Sequence, residues 1–288
     1  MTASSRPIRT RNDSLFEVMQ PFLVTPPWNL DAFDHAPLGL PIPPANVYDP
    51  TRAGNEVFLH LLQTLDRLTF GPEGMPMPRW VFYDCAEIPG GIFGFGRPAA
   101  SLPSEVRQAL GLADDYDALV PFSMYVAIPV RPPTPDRPGG SWFGHNLASL
   151  NPVFPALKMK GLASVTKALA LQTFRAAEQI GATQWDSEAL FIHTRFGPLD
   201  LVTAWTPAHS EPETLTYRFD VTEEKIRAAM GDPDVSLPYP PADFEIAADD
   251  HQAMQDLQAD IEKGGSYAVV GPPRRHEGVW RVPVAAPR

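Results

Sequence analysis

LKMKGLASVTKALALQTFRAAEQIGATQW, residues 157–185, holds the longest helical pattern in the chain, and the reading of the whole sequence turns on it. Leu162, Val165, Leu169, Ala176 and Ile180 fall close to one face at about 3.6 residues per turn. Leu171 and Phe174 point elsewhere, so the spacing predicts a helix over 162–180 that touches structure on more than one side. Gly181 is placed to end it. Upstream, SWFGHNLASL at 141–150 reads as a strand leading into Asn151-Pro152, and Lys158, Lys160 and Gly161 then open the helix.

Working outward, the same criteria give further elements. Val57, Leu61, Leu65 and Leu68 form one stripe of a helix over about 54–70, with Phe58 and Leu62 beside it. RWVFYDCAEI at 79–88 is aromatic and β-branched, as strands are, and Pro89-Gly90-Gly91 turns it back into 92–96 as a hairpin. A short helix follows from about Pro103 to Leu112, then a strand at 119–130. Segments 199–205 and 214–221 read as two strands joined by the turn-rich PAHSEPE. Thr222 is placed to cap a helix reaching Met230, and another helix covers about 248–263, ended by Gly264-Gly265. Strands at 266–270 and 279–284 pair after it. This order predicts an α+β fold, one mainly antiparallel sheet packed on a long central helix.

Proline sets the outer boundaries. There are 34 prolines in 288 residues, clustered before residue 45 and at 131–140, 237–243 and 271–273, while 44% of the chain is hydrophobic. That combination indicates ordered elements separated by rigid loops, not disorder. Residues 1–50 read as a proline-rich extended arm, with Leu15–Val24 a short helix stopped at Pro21 or a strand before Pro26-Pro27. Residues 51–230 form the α+β core and 231–288 a C-terminal extension. An arm of this kind offers a route to homo-oligomer formation.

Charge and cysteine usage narrow the function. With 23 basic and 34 acidic residues the net charge is −11, which argues against a nucleic-acid or anionic-membrane partner and leaves a small-molecule substrate. A local basic spot for a small anion stays compatible. The single cysteine, Cys85, allows no intramolecular disulfide or cysteine zinc cluster and reads as a buried strand residue, fitting a reducing compartment. No apolar run approaches the roughly 18–20 residues of a membrane span, and the arginines of the N-terminus lead into no hydrophobic segment. The expectation is a cytoplasmic protein. His35, His60, His209, His251 and His276 show no metal-ligand spacing.

The turn KMKGLA at 158–163 carries the sharpest chemical signal. A helix start offers unpaired N–H groups and a positive dipole end, and a small residue lets a phosphate approach the backbone. With Lys158 first, Gly161 at the glycine and Ala163 at the small position, it resembles the pyrophosphate turn of the GNAT (N-acetyltransferase) superfamily, Gln/Arg-x-x-Gly-x-Gly/Ala. The similarity spans about residues 145–197 and departs from the pattern in its lysine and in the added FPAL. It implies acyl-CoA or acetyl-CoA as co-substrate, its diphosphate held by Gly161, Leu162 and Ala163 with Lys158 and Lys160. In that family a short helix after the next strand presents an acid four residues before a glycine. Counting back from Gly197 gives His193, and His145 is then the candidate base.

Two features keep rivals open. SEALFIHTRFG at 187–197 has the composition of a strand, whereas the resemblance asks for a helix there. A hairpin over 189–206 would instead favour a hot-dog-like acyl-thioester enzyme, to which NPVFP before the helix is also similar. The third alternative is a non-catalytic ligand-binding or assembly module.

Overall fold

The computed structural model describes residues 8–286 apart from positions 13, 81, 83 and 85–89. Among the described residues the strands are β1 (Gln20–Val24), β2 (Val47–Tyr48), β3 (Gly91–Pro98), β4 (Leu119–Arg131), β5 (Ser141–Ser149), β6 (Glu178–Gln184), β7 (Leu199–Thr203), β8 (Thr214–Asp220), β9 (Phe244–Ala247), β10 (Ala268–Val269), β11 (Arg274–His276) and β12 (Val279–Ala285). They join in one sheet, ordered β11-β12-β10-β7-β8-β6-β5-β4-β3-β1-β2, with β9 also pairing β12. Its ladders are antiparallel except β1 with β2 and β5 with β6. The expected α+β fold with a mainly antiparallel sheet is what forms. The helices are α1 (Leu15–Val18), α2 (Glu56–Phe70), α3 (Ser104–Ala109), α4 (Leu162–Thr173), α5 (Ala189–His193), α6 (Glu223–Met230) and α7 (His251–Glu262). None of them is long and apolar enough to cross a membrane.

Residues 15–24 supply both of the expected alternatives in succession, α1 then β1, and β1 enters the sheet with Phe22, Leu23 and Val24 fully buried. The strand expected over 79–88 falls largely outside the described residues, Cys85 included; Arg79, Trp80, Phe82 and Asp84 are helical.

α4 connects β5 to β6 and is buried on almost every side, which explains why its apolar residues spread around the axis instead of forming one stripe. The helix stops at Thr173, not at 180. Arg175 takes a left-handed φ of +52°, and Ala177 and Glu178 both donate backbone N–H groups to the Gly140 carbonyl. Glu178–Gln184 form β6, so Ile180 and Gly181 are strand residues. Packing therefore overrides a run of good helix formers, and α2, at 15 residues, is the longer helix.

The parallel β5–β6 ladder is short. It runs from Ser141 opposite Glu178 to Gly144 opposite Gly181, after which the strands continue unpaired with each other. Its closed end is clasped by Glu178, 2% exposed, whose carboxylate accepts from Ser141 Oγ at 2.6 Å and pairs with Arg137. Burial alone would raise this carboxyl; the Ser141 and Arg137 hydrogen bonds outweigh it and hold the group below the ordinary glutamate range. The clasp thus persists until pH falls through that lowered pKa. Because so few residues join the two halves, Glu178→Ala is expected to cost about 2–3 kcal/mol by urea denaturation. Arg131 lies 4.0 Å from the same carboxylate with a side chain 63% exposed, so Arg131→Ala should change stability by under about 0.5 kcal/mol. Equal costs for the two variants would refute the clasp.

Candidate functional site

Beyond Gly144 and Gly181 the strands part, and the gap between them is a cleft. One cavity of about 170 Å³ is lined by Tyr125, Gly144–Leu147, Ala182–Gln184, Ser187, Ala189, His193 and Tyr217. It adjoins a larger one of about 480 Å³ that shares Phe70, Met75, Gly144–Asn146 and Ala182–Gln184 and extends to Met77, Pro78, Phe143, His209 and Thr214. Since β5 and β6 run parallel, the connecting α4 begins at this open end.

His145 stands at the mouth. On β5, Asn146 faces Val126 and Gly144 faces Ala127, so His145 is the extra residue of a β-bulge and is exposed to the cleft. A bulge re-aims a side chain in this way. Asn146 points to the α2 face, where its Nδ2 donates to Asp66 Oδ1 at 2.7 Å, and the Met77 N–H donates to Asp66 Oδ2 at 2.7 Å. Asp66 is 1% exposed; burial raises its carboxyl, and the Met77 and Asn146 hydrogen bonds and the His145 charge only partly offset it.

His193 lies on the opposite, α4 side. The segment expected as a strand is helical, α5 followed by a 3₁₀ turn at Thr194–Phe196. Leu190, His193 and Thr194 are buried at a helical spacing, Phe196 is buried in the turn that follows, and Thr194 Oγ1 donates back to the Leu190 carbonyl at 2.7 Å. Arg195 Nη1 donates to Ser164 Oγ of α4 at 2.7 Å, and the Tyr239 hydroxyl donates to the Thr194 carbonyl. Those contacts fix the His193 ring where it lines the cavity.

Behind His193 sits a group that sequence reading missed. Lys167, in the middle of α4, is 0% exposed. Its Nζ lies 3.0 Å from His193 Nδ1 and 3.0 Å from the Tyr217 hydroxyl. The rings of Phe196, Tyr217 and Phe219 surround it with centroids at 5.2–5.3 Å, and Tyr125 at 5.9 Å. No carboxylate among the described residues pairs with it. Burial holds the amine well below the usual lysine range. Burial likewise depresses His193, with the Lys167 charge adding to it, and raises Tyr217, helped by Tyr125. The Tyr125 hydroxyl is raised by burial against an opposing pull from Gln179. Burial thus works against the charged form of each of these polar groups, in and behind the cleft floor. One signal was available: Lys167 follows Val165 and precedes Ala168 and Leu169, all core positions.

The predicted phosphate turn opens α4 and lines neither cavity. Gly161 is the N-cap of α4 at φ +83°, with no side chain capping the helix and open space where a Cβ would stand. Asn151 braces the approach, its Nδ2 donating to the Met159 carbonyl at 2.8 Å while its Oδ1 accepts from the Met159 N–H at 2.9 Å. Lys158 and Lys160 are exposed, Gly161 and Ala163 half-buried, and Leu162 is in the core. His145 and His193 therefore share one cleft, whereas Lys158 and Lys160 do not line it. Among the described residues no His, Cys, Asp and Glu side chains cluster to hold a metal ion. No protein-family model matches the chain, and no curated protein matches it in sequence.

Proposed function

We propose that the protein is an acyl-CoA-dependent, GNAT-like N-acyltransferase acting on a small amine. The observation that carries this reading is the parting of β5 and β6 after Gly144 and Gly181, with α4 starting at the open end and His145 and His193 lining the gap. The open helix start at Gly161, Leu162 and Ala163, with Lys158 and Lys160 in front of it, suits the CoA diphosphate. His145, exposed at the bulge above Asp66, is the base for the amine, and His193 faces the leaving thiol. Support for the hot-dog-like alternative falls away, because the hairpin over 189–206 is replaced by α5 and its 3₁₀ turn.

Isothermal titration with acetyl-CoA tests it. Binding is expected in the micromolar range typical of enzyme substrates. With each exposed lysine contributing about 1 kcal/mol, Lys158→Ala/Lys160→Ala should weaken it on the order of thirtyfold. An absence of heat at millimolar acetyl-CoA would leave the ligand-binding or assembly module as the better reading.

A further inference from the structure

We propose that Lys167 is a positioning residue that locks His193 in one tautomer, with Nδ1 unprotonated and Nε2–H presented to the cleft as a fixed hydrogen-bond donor. Donor and acceptor counting around three buried groups leads to it. Tyr217 is 1% exposed, and Lys167 Nζ, at 3.0 Å, is the hydrogen-bond partner of its hydroxyl among the described residues. A buried O–H left without an acceptor is costly, so the Tyr217 hydroxyl donates to the single lone pair of the neutral Lys167 amine. With that lone pair taken, the amine offers only N–H groups to its other neighbour, His193 Nδ1, at 3.0 Å. Nδ1 must then accept, and the ring proton resides on Nε2.

The consequence is chemical. His193 is 6% exposed, lines the cavity, and has its Nδ1 side occupied, so Nε2 is the nitrogen left for a ligand. A neutral imidazole held this way polarises a carbonyl or stabilises developing negative charge without transferring its proton. The cleft floor is therefore built for a hydrogen-bond acceptor such as a thioester carbonyl oxygen or a thiolate. Naming that acceptor rests on the acyltransfer reading; the tautomer does not. Lys167 has no place in the cavity lining and acts only through His193 and Tyr217.

Long-range ¹H–¹⁵N correlation spectra of ¹⁵N-histidine-labelled protein, without any ligand, distinguish the two ring nitrogens. At pH 8.5 His193 should show a single Nε2–H tautomer. In Lys167→Met, where Nδ1 loses its donor, both tautomers should be populated. Tyr217→Phe, nearly isosteric and therefore a folded control, frees the amine lone pair and should admit the Nδ1–H form. An Nδ1–H tautomer in the unmodified protein would overturn the proposal, as would an unchanged Nε2–H signal in folded Lys167→Met or in Tyr217→Phe. Failure of acetyl-CoA to bind would remove the acyltransfer reading and leave these spectra unaffected.

Discussion

The folded protein is expected to gain stability as pH rises from the depressed pKa of buried Lys167 toward about 10.4, where the unfolded lysine loses its proton, and Lys167→Met to lose that gain. In the native state the Lys167 amine is fully buried, without a carboxylate partner, and its pKa is depressed by desolvation. In the unfolded chain the same amine stays protonated up to about pH 10.4. Between the two pKa values the unfolded state binds the extra proton, so stability rises with pH, by up to about 1.4 kcal/mol per pH unit. His193, also depressed, adds the same sign of slope at lower pH, where the unfolded imidazole protonates below about 6.5. Urea denaturation at half-unit intervals on both proteins isolates Lys167 above the pH range in which His193, which its charge also shifts, takes up a proton. Absolute stabilities are less informative, since Met leaves Tyr217 and Nδ1 of His193 without their partner. Parallel curves would mean that Lys167 keeps its charge when folded.

Why this lysine escaped sequence reading, when much else did not, has a physical cause. Local signals carried well where the local chemistry decides the outcome. Thr222 caps α6 by accepting from the Lys225 N–H, and the strands at 119–130, 199–205 and 214–221 form within a residue or two of their predicted bounds. The errors fall where partners distant in sequence decide. Residues 174–180 favour a helix by composition, yet the Gly140 carbonyl and the β8 ladder capture them as a turn and a strand. Phe191-Ile192-His193-Thr194 has strand-like composition, but Ser164 and Tyr239, 31 and 45 residues away from the groups they bind, hold that segment as a helix and turn. His145 and His193 were both legible, and they meet in one cleft. Lys167 was not, because a lysine in a helix ordinarily faces water. Only the juxtaposition of α4 with α5 and β8 gives it Nδ1 of His193 and the Tyr217 hydroxyl as neighbours.

The two glycines at the end of the parallel ladder give the other large effect. A Cβ on Gly144 would stand 2.0 Å from the Tyr125 hydroxyl, 2.7 Å from Gln179 Nε2 and 2.8 Å from the Tyr125 ring carbon bearing the hydroxyl. On Gly181 it would stand 2.4 Å from the Tyr217 hydroxyl and 2.5 Å from the carbon that bears it. Each glycine thus makes room for one tyrosine tip at the floor of the cleft, and neither tyrosine has slack, being 2% and 1% exposed. Gly144→Ala should cost about 1–3 kcal/mol through overpacking, and Gly181→Ala a similar amount while pushing Tyr217 off Lys167. The pair of effects can be told from general strand destabilisation by a double-mutant cycle. Tyr125→Phe removes the nearest clashing atom, so it should restore at least about 1 kcal/mol to Gly144→Ala. The same change should do little for Gly181→Ala, whose clash is with Tyr217. Urea midpoints for the three single and two double variants suffice. If Gly144→Ala matched the parent protein in stability, or if Tyr125→Phe rescued both glycine variants equally, the tyrosine tips would not be what holds the cleft open at that point.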